Sequence, residues 1–279
     1  MRIDAHQHYW RIGRNGHEWP TPDLSAIHRD FLPADLAPEL APLGIARTIA
    51  VQSQPADADT DWLLDLAANE PSVAAVVGWC DVRARDAPAR IAALAARPKL
   101  RGLRPMLQDL PPGWILDPAA APALAAMAEA GLAFDALIRP VHLPDIAALA
   151  DTWPSLVIIV DHGAKPPIAA GRLEPWATQI RDLATRANVS CKLSGLTTEA
   201  AAGWTPDDLA PYVRHLLACF GADRLIWGSD WPVLRLAGDY AQWFEIAGQL
   251  LPGIVQQDRD AIFGGNAARL YRLDAAYHD

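Results

Sequence analysis

The chain has 279 residues, 51% of them hydrophobic and 20% charged, which is enough apolar sequence to bury one large core and excludes a disordered chain. A formal charge of −9 and a pI near 5.3 leave no basic patch to neutralise phosphates, so nucleic acid and anionic membrane are excluded as partners and a small soluble substrate is expected. Cys80, Cys191 and Cys219 are odd in number and widely spaced, which fits a reducing compartment; with no basic-then-apolar leader and no run of about 18 apolar residues, the expected location is the cytoplasm.

In chain order, the opening MRIDAHQHYW predicts a strand over Arg2–His8, followed by a second over Arg47–Gln52 and a helix over Asp61–Asn69. VAAVVGWC predicts a strand at Val73–Cys80, then come a helix at Ala87–Ala96, a strand at Leu100–Arg104 and a helix at Ala121–Ala130. The second half repeats the pattern: strand Ala133–Ile138, helix Leu143–Thr152, strand Leu156–His162, helix Pro175–Ala187, strand Val189–Ser194, helix Pro206–Phe220 and strand Arg224–Asp230. Eight strands alternating with helical segments predict an α/β fold, a (β/α)8 barrel spanning 1–279 as one domain. Runs such as LVIIV and RLIW are apolar on both faces, as expected of strands covered by helices outside and filled by side chains within.

In such a barrel the chemistry gathers at the C-terminal ends of the strands. His6 and His8 end the first strand and share a face, because side chains alternate with period two. Asp4 reads as a partner behind them or simply as the preceding inward residue. His162 ends the sixth strand in VDHG, Lys192 lies among apolar residues of the seventh in VSCKLSG, and Asp230 ends the eighth in WGSDWP. Buried Lys192 would be costly without an anion or a task. His17, His28, His142, His215 and His278 read instead as surface or satisfied structural histidines.

Together the first-strand HxH, the histidine after the sixth strand and GSDWP after the eighth resemble the amidohydrolase superfamily. DHGAKPPI, NVSCKLSGLTTEA, WTPDDLAPYVRHLLACFGADRLIWGSDWPV and GNAARLY resemble more narrowly its sugar-lactonase branch, with L-fucono-lactone and L-rhamnono-lactone hydrolases and the related 2-pyrone-4,6-dicarboxylate lactonase. The resemblance implies a distorted TIM barrel that hydrolyses a small ring ester, with His6, His8, His162 and Asp230 as the catalytic group. Dinuclear members of the superfamily carry a lysine or glutamate on the fourth strand and histidines on the fifth and sixth; here RGLR and FDALIR offer no histidine, so a bridged two-metal site is not expected. The four residues suit one divalent ion, best zinc, and the branch also includes members thought to work without metal, so both versions stay open.

In either version Asp230 is the expected general base on water, and the histidines polarise the carbonyl directly or through the metal. Arg104 and Lys192 are the next expected substrate contacts, with Trp231 beside them and Arg101, Arg139 and Lys165 at the rim, of which Arg139 and Lys165 are counted as substrate-binding. Trp10, Trp79, Trp114 and Trp231 can stack on a sugar ring or pack the core. A neutral aldonolactone such as L-fuconolactone is preferred to a pyrone dicarboxylate; a metal-dependent decarboxylase and a non-catalytic binding barrel are the rival readings.

Overall fold

Eight short apolar segments pair side by side, all parallel and in chain order, in the computed structural model, which describes residues 1–251 and 253–273. They are β1 (Arg2–Gln7), β2 (Ile45–Val51), β3 (Val73–Gly78), β4 (Leu100–Leu103), β5 (Ala133–Ala136), β6 (Ile158–Val160), β7 (Val189–Leu193) and β8 (Leu225–Trp227). The ring closes where the Asp230 amide donates to the His6 carbonyl at 2.8 Å and the His8 amide donates to the Trp231 carbonyl at 2.7 Å. The expected (β/α)8 barrel is therefore the fold.

One helix follows each strand: α1 (Pro33–Leu40), α2 (Asp57–Ala68), α3 (Ala87–Ala95), α4 (Ala121–Ala130), α5 (Leu143–Thr152), α6 (Trp176–Leu183), α7 (Pro206–Phe220) and α8 (Tyr240–Gln249). Helix α2 starts four residues before its expected position, and its first turn carries Asp57 and Asp59, whose charges suit a helix N-terminus. Among the described residues, no helix is long and apolar enough to cross a membrane.

Two apolar layers result. One fills the space between strands and helices; the other lies inside the barrel, where Ile3, Ala5, Ile49, Val51, Ala75, Val77, Ile159 and Ile226 meet Ala267 and Tyr271 from the C-terminal helical segment. That segment plugs the lower end, so the upper end is the one left for chemistry.

Strand ladders stop earlier than the apolar patterns predict, most clearly in β6 and β8. Backbone geometry explains both. His162, Gly163, Ala164 and Lys165 all have positive φ, between 51° and 61°, so the chain makes a left-handed turn directly after β6. Asp230 has φ 60°, which takes it out of the β8 ladder. Such conformations disfavour side chains with a Cβ and persist only where surrounding contacts fix them.

The β1–β8 seam depends on Asp4, which has no exposed surface. Its carboxylate accepts from the His6 and Ser229 amides at 3.1 and 2.9 Å, from the Ser229 hydroxyl at 2.6 Å and from the Tyr240 hydroxyl at 2.7 Å. Asp4 is thus a brace behind the first histidine, touching its backbone and not its ring. Gly228 completes the close approach: a Cβ there would stand 2.7 Å from the His6 Cβ. Asp4→Ala strands several buried donors at about 1–3 kcal/mol each, so chemical denaturation should show a loss of roughly 3 kcal/mol or more; a change below about 1 kcal/mol would contradict the bracing role.

Candidate active site

His6 and His8 reach the barrel mouth from the end of β1. A register irregularity between Asp4 and Gln7 against β2 lets Ala5 join the interior cluster while His6, next in sequence, also points inward. His8 is fixed from behind, since its Nδ1 lies 2.8 Å from the Val51 carbonyl oxygen. A carbonyl only accepts, so Nδ1 carries the proton and Nε2 is left for the centre.

Four side chains converge there. His6 Nε2 and His8 Nε2 are 3.2 Å apart, and Asp230 Oδ1 lies 3.7 Å from the first, 3.4 Å from the second and 3.9 Å from His162 Nε2. His162 Nδ1 pairs with the Ser194 hydroxyl at 2.9 Å, and Gly195 leaves the room its ring needs: a Cβ there would be 2.4 Å from Nδ1. Burial opposes ionisation of Asp230, yet His162, His8 and His6 outweigh it and hold the carboxyl well below the usual range. Burial lowers the His162 pKa to about 4, against the pull of Asp230 and Asp161, so the ring is neutral at neutral pH.

Beneath this group lies a wholly buried ionic layer. Lys192 Nζ, with no exposed surface, contacts Asp135 Oδ2 at 2.5 Å, Asp161 Oδ1 at 3.0 Å and His6 Nδ1 at 3.1 Å. The Tyr271 hydroxyl donates to Asp135 Oδ2 at 2.7 Å. Arg104 reaches Asp161 Oδ2 at 3.5 Å and His6 Nε2 at 3.4 Å with Nη1, while its Nη2 donates to the Gln52 carbonyl. Burial works against the charge on Asp161, but Lys192 and His6 hold its carboxyl well below the ordinary range; burial lifts Asp135 to about 6 despite Lys192. His6 is pushed well below the usual histidine pKa by burial and then by Lys192, so it too is neutral at neutral pH.

Above the centre opens a cavity of about 580 Å³, lined among others by His8, His162, Asp230, Arg104 and Lys165 and walled by Trp19, Trp79 and Trp114. Several sequence expectations change here. Lys192 does not line the cavity, because it sits one layer down inside its carboxylate pairs. Trp231 is 1% exposed and packs edge-on to Tyr9 and Phe31, and Trp10 likewise lies in the core, so neither offers a stacking face. Arg139 is not among the lining residues but bonds two that are, through the Gln108 carbonyl and Asp109, and Arg101 bonds the Pro98, Leu100 and Arg272 carbonyls at the opposite end of the barrel. His142 and His215 satisfy backbone groups as expected of structural histidines; His278 lies outside the described residues.

Asp135, Asp161, Tyr271 and Trp19 belong to the site and were not singled out by sequence reasoning. Asp161 stands beside His162, and Asp135 has the inward strand parity that a search for histidines alone overlooks.

The donor set suits a metal. His6, His8 and Asp230 each present one ligand atom within 4.8 Å of the others, and the orientation of His8 leaves its Nε2 for the centre. A second grouping of His6, Asp161 and His162 meets the same spacing, but Asp161 is already engaged by Lys192 and Arg104.

Comparison with known proteins gives a consistent picture. A family described as amidohydrolase matches residues 3–273. A Burkholderia ambifaria protein named L-fucono-1,5-lactonase is 53% identical, the match covering 98% of this chain and 96% of that protein; a Burkholderia multivorans protein of the same name is 35% identical over the same shares. The crystal structure of a Burkholderia multivorans amidohydrolase with bound zinc superposes with a TM-score of 0.93 at 35% identity, covering 98% of this chain and 100% of that one. From Ile3 to Leu273, then, fold, site and sequence agree that the chain belongs to the amidohydrolase family.

Proposed function

We propose that this protein is a sugar lactonase that opens a neutral aldonolactone, such as L-fuconolactone, to the sugar acid. The observation that carries the reading is Asp230: a buried carboxylate, ionised among three imidazoles, facing a cavity of a size for one sugar ring. The names and near-complete overlap of the two Burkholderia lactonases support the same reaction.

In the mechanism, Asp230 orients a water and takes its proton as the water oxygen attacks the lactone carbonyl carbon. The ring C–O bond then breaks, and the departing alkoxide receives that proton, leaving an open-chain hydroxy acid. His162 and Arg104, both on the cavity wall, donate hydrogen bonds to the carbonyl oxygen as negative charge develops on it. A divalent ion, zinc being the best match to His6, His8 and Asp230, would add Lewis-acid polarisation of the carbonyl and a more acidic water. The three free cysteines agree with action in the cytoplasm.

Preference for an uncharged substrate follows from the cavity's cations. Among the described residues, Arg104 and Lys165 are the two that line it, and each already has a carboxylate partner, Asp161 and Glu199. A dicarboxylate would find no unpaired cation there, whereas Trp19, Trp79 and Trp114 offer faces for the C–H side of a sugar ring.

Two outcomes are expected. Asp230→Asn should lower kcat for L-fuconolactone about 10²–10⁴-fold while the far-ultraviolet dichroism is unchanged, and full activity in that variant would remove Asp230 as the base. In a pH-indicator panel, neutral L-aldonolactones should be opened with kcat/KM roughly 100-fold or more above 2-pyrone-4,6-dicarboxylate. The reverse order would overturn the assignment of substrate class.

A further inference from the structure

Two opposed groups meet at one atom, Nδ1 of His6: the Lys192 ammonium, a donor, at 3.1 Å, and Asp161 Oδ1, an acceptor, at 3.3 Å. They call for different placements of the single proton on a neutral imidazole, and distance and satisfaction decide between them.

With the proton on Nε2, Lys192 donates to Nδ1 at 3.1 Å and His6 donates to His8 Nε2 at 3.2 Å. The latter is an acceptor, because His8 spends its proton on the Val51 carbonyl. Lys192 then donates to Asp135 Oδ2 and to His6 Nδ1 and keeps its ion pair with Asp161 Oδ1 at 3.0 Å. Two contacts are unfavourable: Arg104 Nη1 faces the Nε2 proton at 3.4 Å, and Asp161 Oδ1 faces the bare Nδ1 at 3.3 Å. With the proton on Nδ1, the ring gains Arg104 at that long distance and Asp161 at 3.3 Å, an atom that makes no hydrogen bond of good geometry. It then sets a donor against Lys192 at 3.1 Å and two lone pairs against each other at 3.2 Å. The first arrangement has the shorter favourable contacts, at 3.1 and 3.2 Å, and the longer unfavourable ones, at 3.3 and 3.4 Å.

We propose that Lys192 is a positioning residue that keeps the His6 proton on Nε2 in the metal-free protein and thereby sets the cost of seating a metal at His6, His8 and Asp230. For His6 Nε2 to become a ligand, its proton must leave to water and another must bind at Nδ1, where Asp161 accepts it. Lys192 then loses His6 as an acceptor and faces an N–H. Lys192 and Asp161 so define the two states of one ring, and the balance between them governs metal occupancy. The proton's position does not depend on the lactonase reading; its meaning for catalysis does.

The test uses two readouts that need no lactone. In metal-free protein labelled with ¹⁵N-histidine, long-range ¹H–¹⁵N spectra, with His6 assigned by its loss in His6→Asn, should show a protonated Nε2 and a bare Nδ1. Added zinc should move the proton to Nδ1. In Lys192→Met, calorimetric titration with zinc ion alone should give an affinity about 10–100-fold above wild type. A merely structural role would loosen the centre and lower that affinity. A proton on Nδ1 in metal-free wild type, or zinc binding in the variant no tighter than in wild type, overturns the proposal. Should Lys192→Met fail to fold because Asp135 and Asp161 lose their cation, the wild-type spectrum alone decides. Failure to open any lactone would leave both readouts intact and count against the functional reading only.

Discussion

Lys192 is a charged side chain with no exposed surface at the centre of a barrel, and the upper half of the structure is arranged around keeping it there. An isolated buried ammonium would cost far more than any single packing interaction returns, so β5 and the residue directly after β6 each supply a carboxylate and β1 supplies an imidazole. Arg104 adds a second cation beside Asp161. The layer then balances, with two cations, Lys192 and Arg104, against two carboxylates, Asp135 and Asp161. Asp230, one layer higher, has only histidines for company. That surplus negative charge makes the centre receptive to a metal ion, and the imidazoles around it keep Asp230 ionised and ready to accept a proton.

The barrel and the four converging ends were legible in the sequence because both follow from local pattern. Alternation of apolar strands and helices sets the fold, and a histidine or aspartate closing an apolar run marks a strand end. The less legible residues share a different property. Asp135 sits inside FDALIR and Tyr271 inside GNAARLY, with no local sign that they meet Lys192; only closure of the barrel brings them together. Lys192 itself was visible as a buried cation, but its depth was not, since side-chain parity gives a face and not a layer. Trp231 erred in the same way: it follows a strand, yet the chain's path after the strand turns it into the core.

That path also explains why His162 and Asp230 lie beyond the regular ladders. A residue held inside a ladder has its side-chain direction dictated by the pleat. The left-handed turn at His162–Lys165 and the positive φ of Asp230 release both side chains from that alternation and aim them at the same point. The strain is tolerated because the Ser194 hydroxyl fixes the His162 ring and the Asp230 amide is pinned to β1.

Tyr271 carries one more implication. Its hydroxyl holds the carboxylate that holds Lys192, from 136 residues downstream of that carboxylate. During synthesis His6 and His8 emerge long before Tyr271, which supports the lysine behind them. The ionic layer can be completed only once residue 271 has left the ribosome, so a chain made only as far as Asp230 carries the histidines and the aspartate without the foundation that orders them.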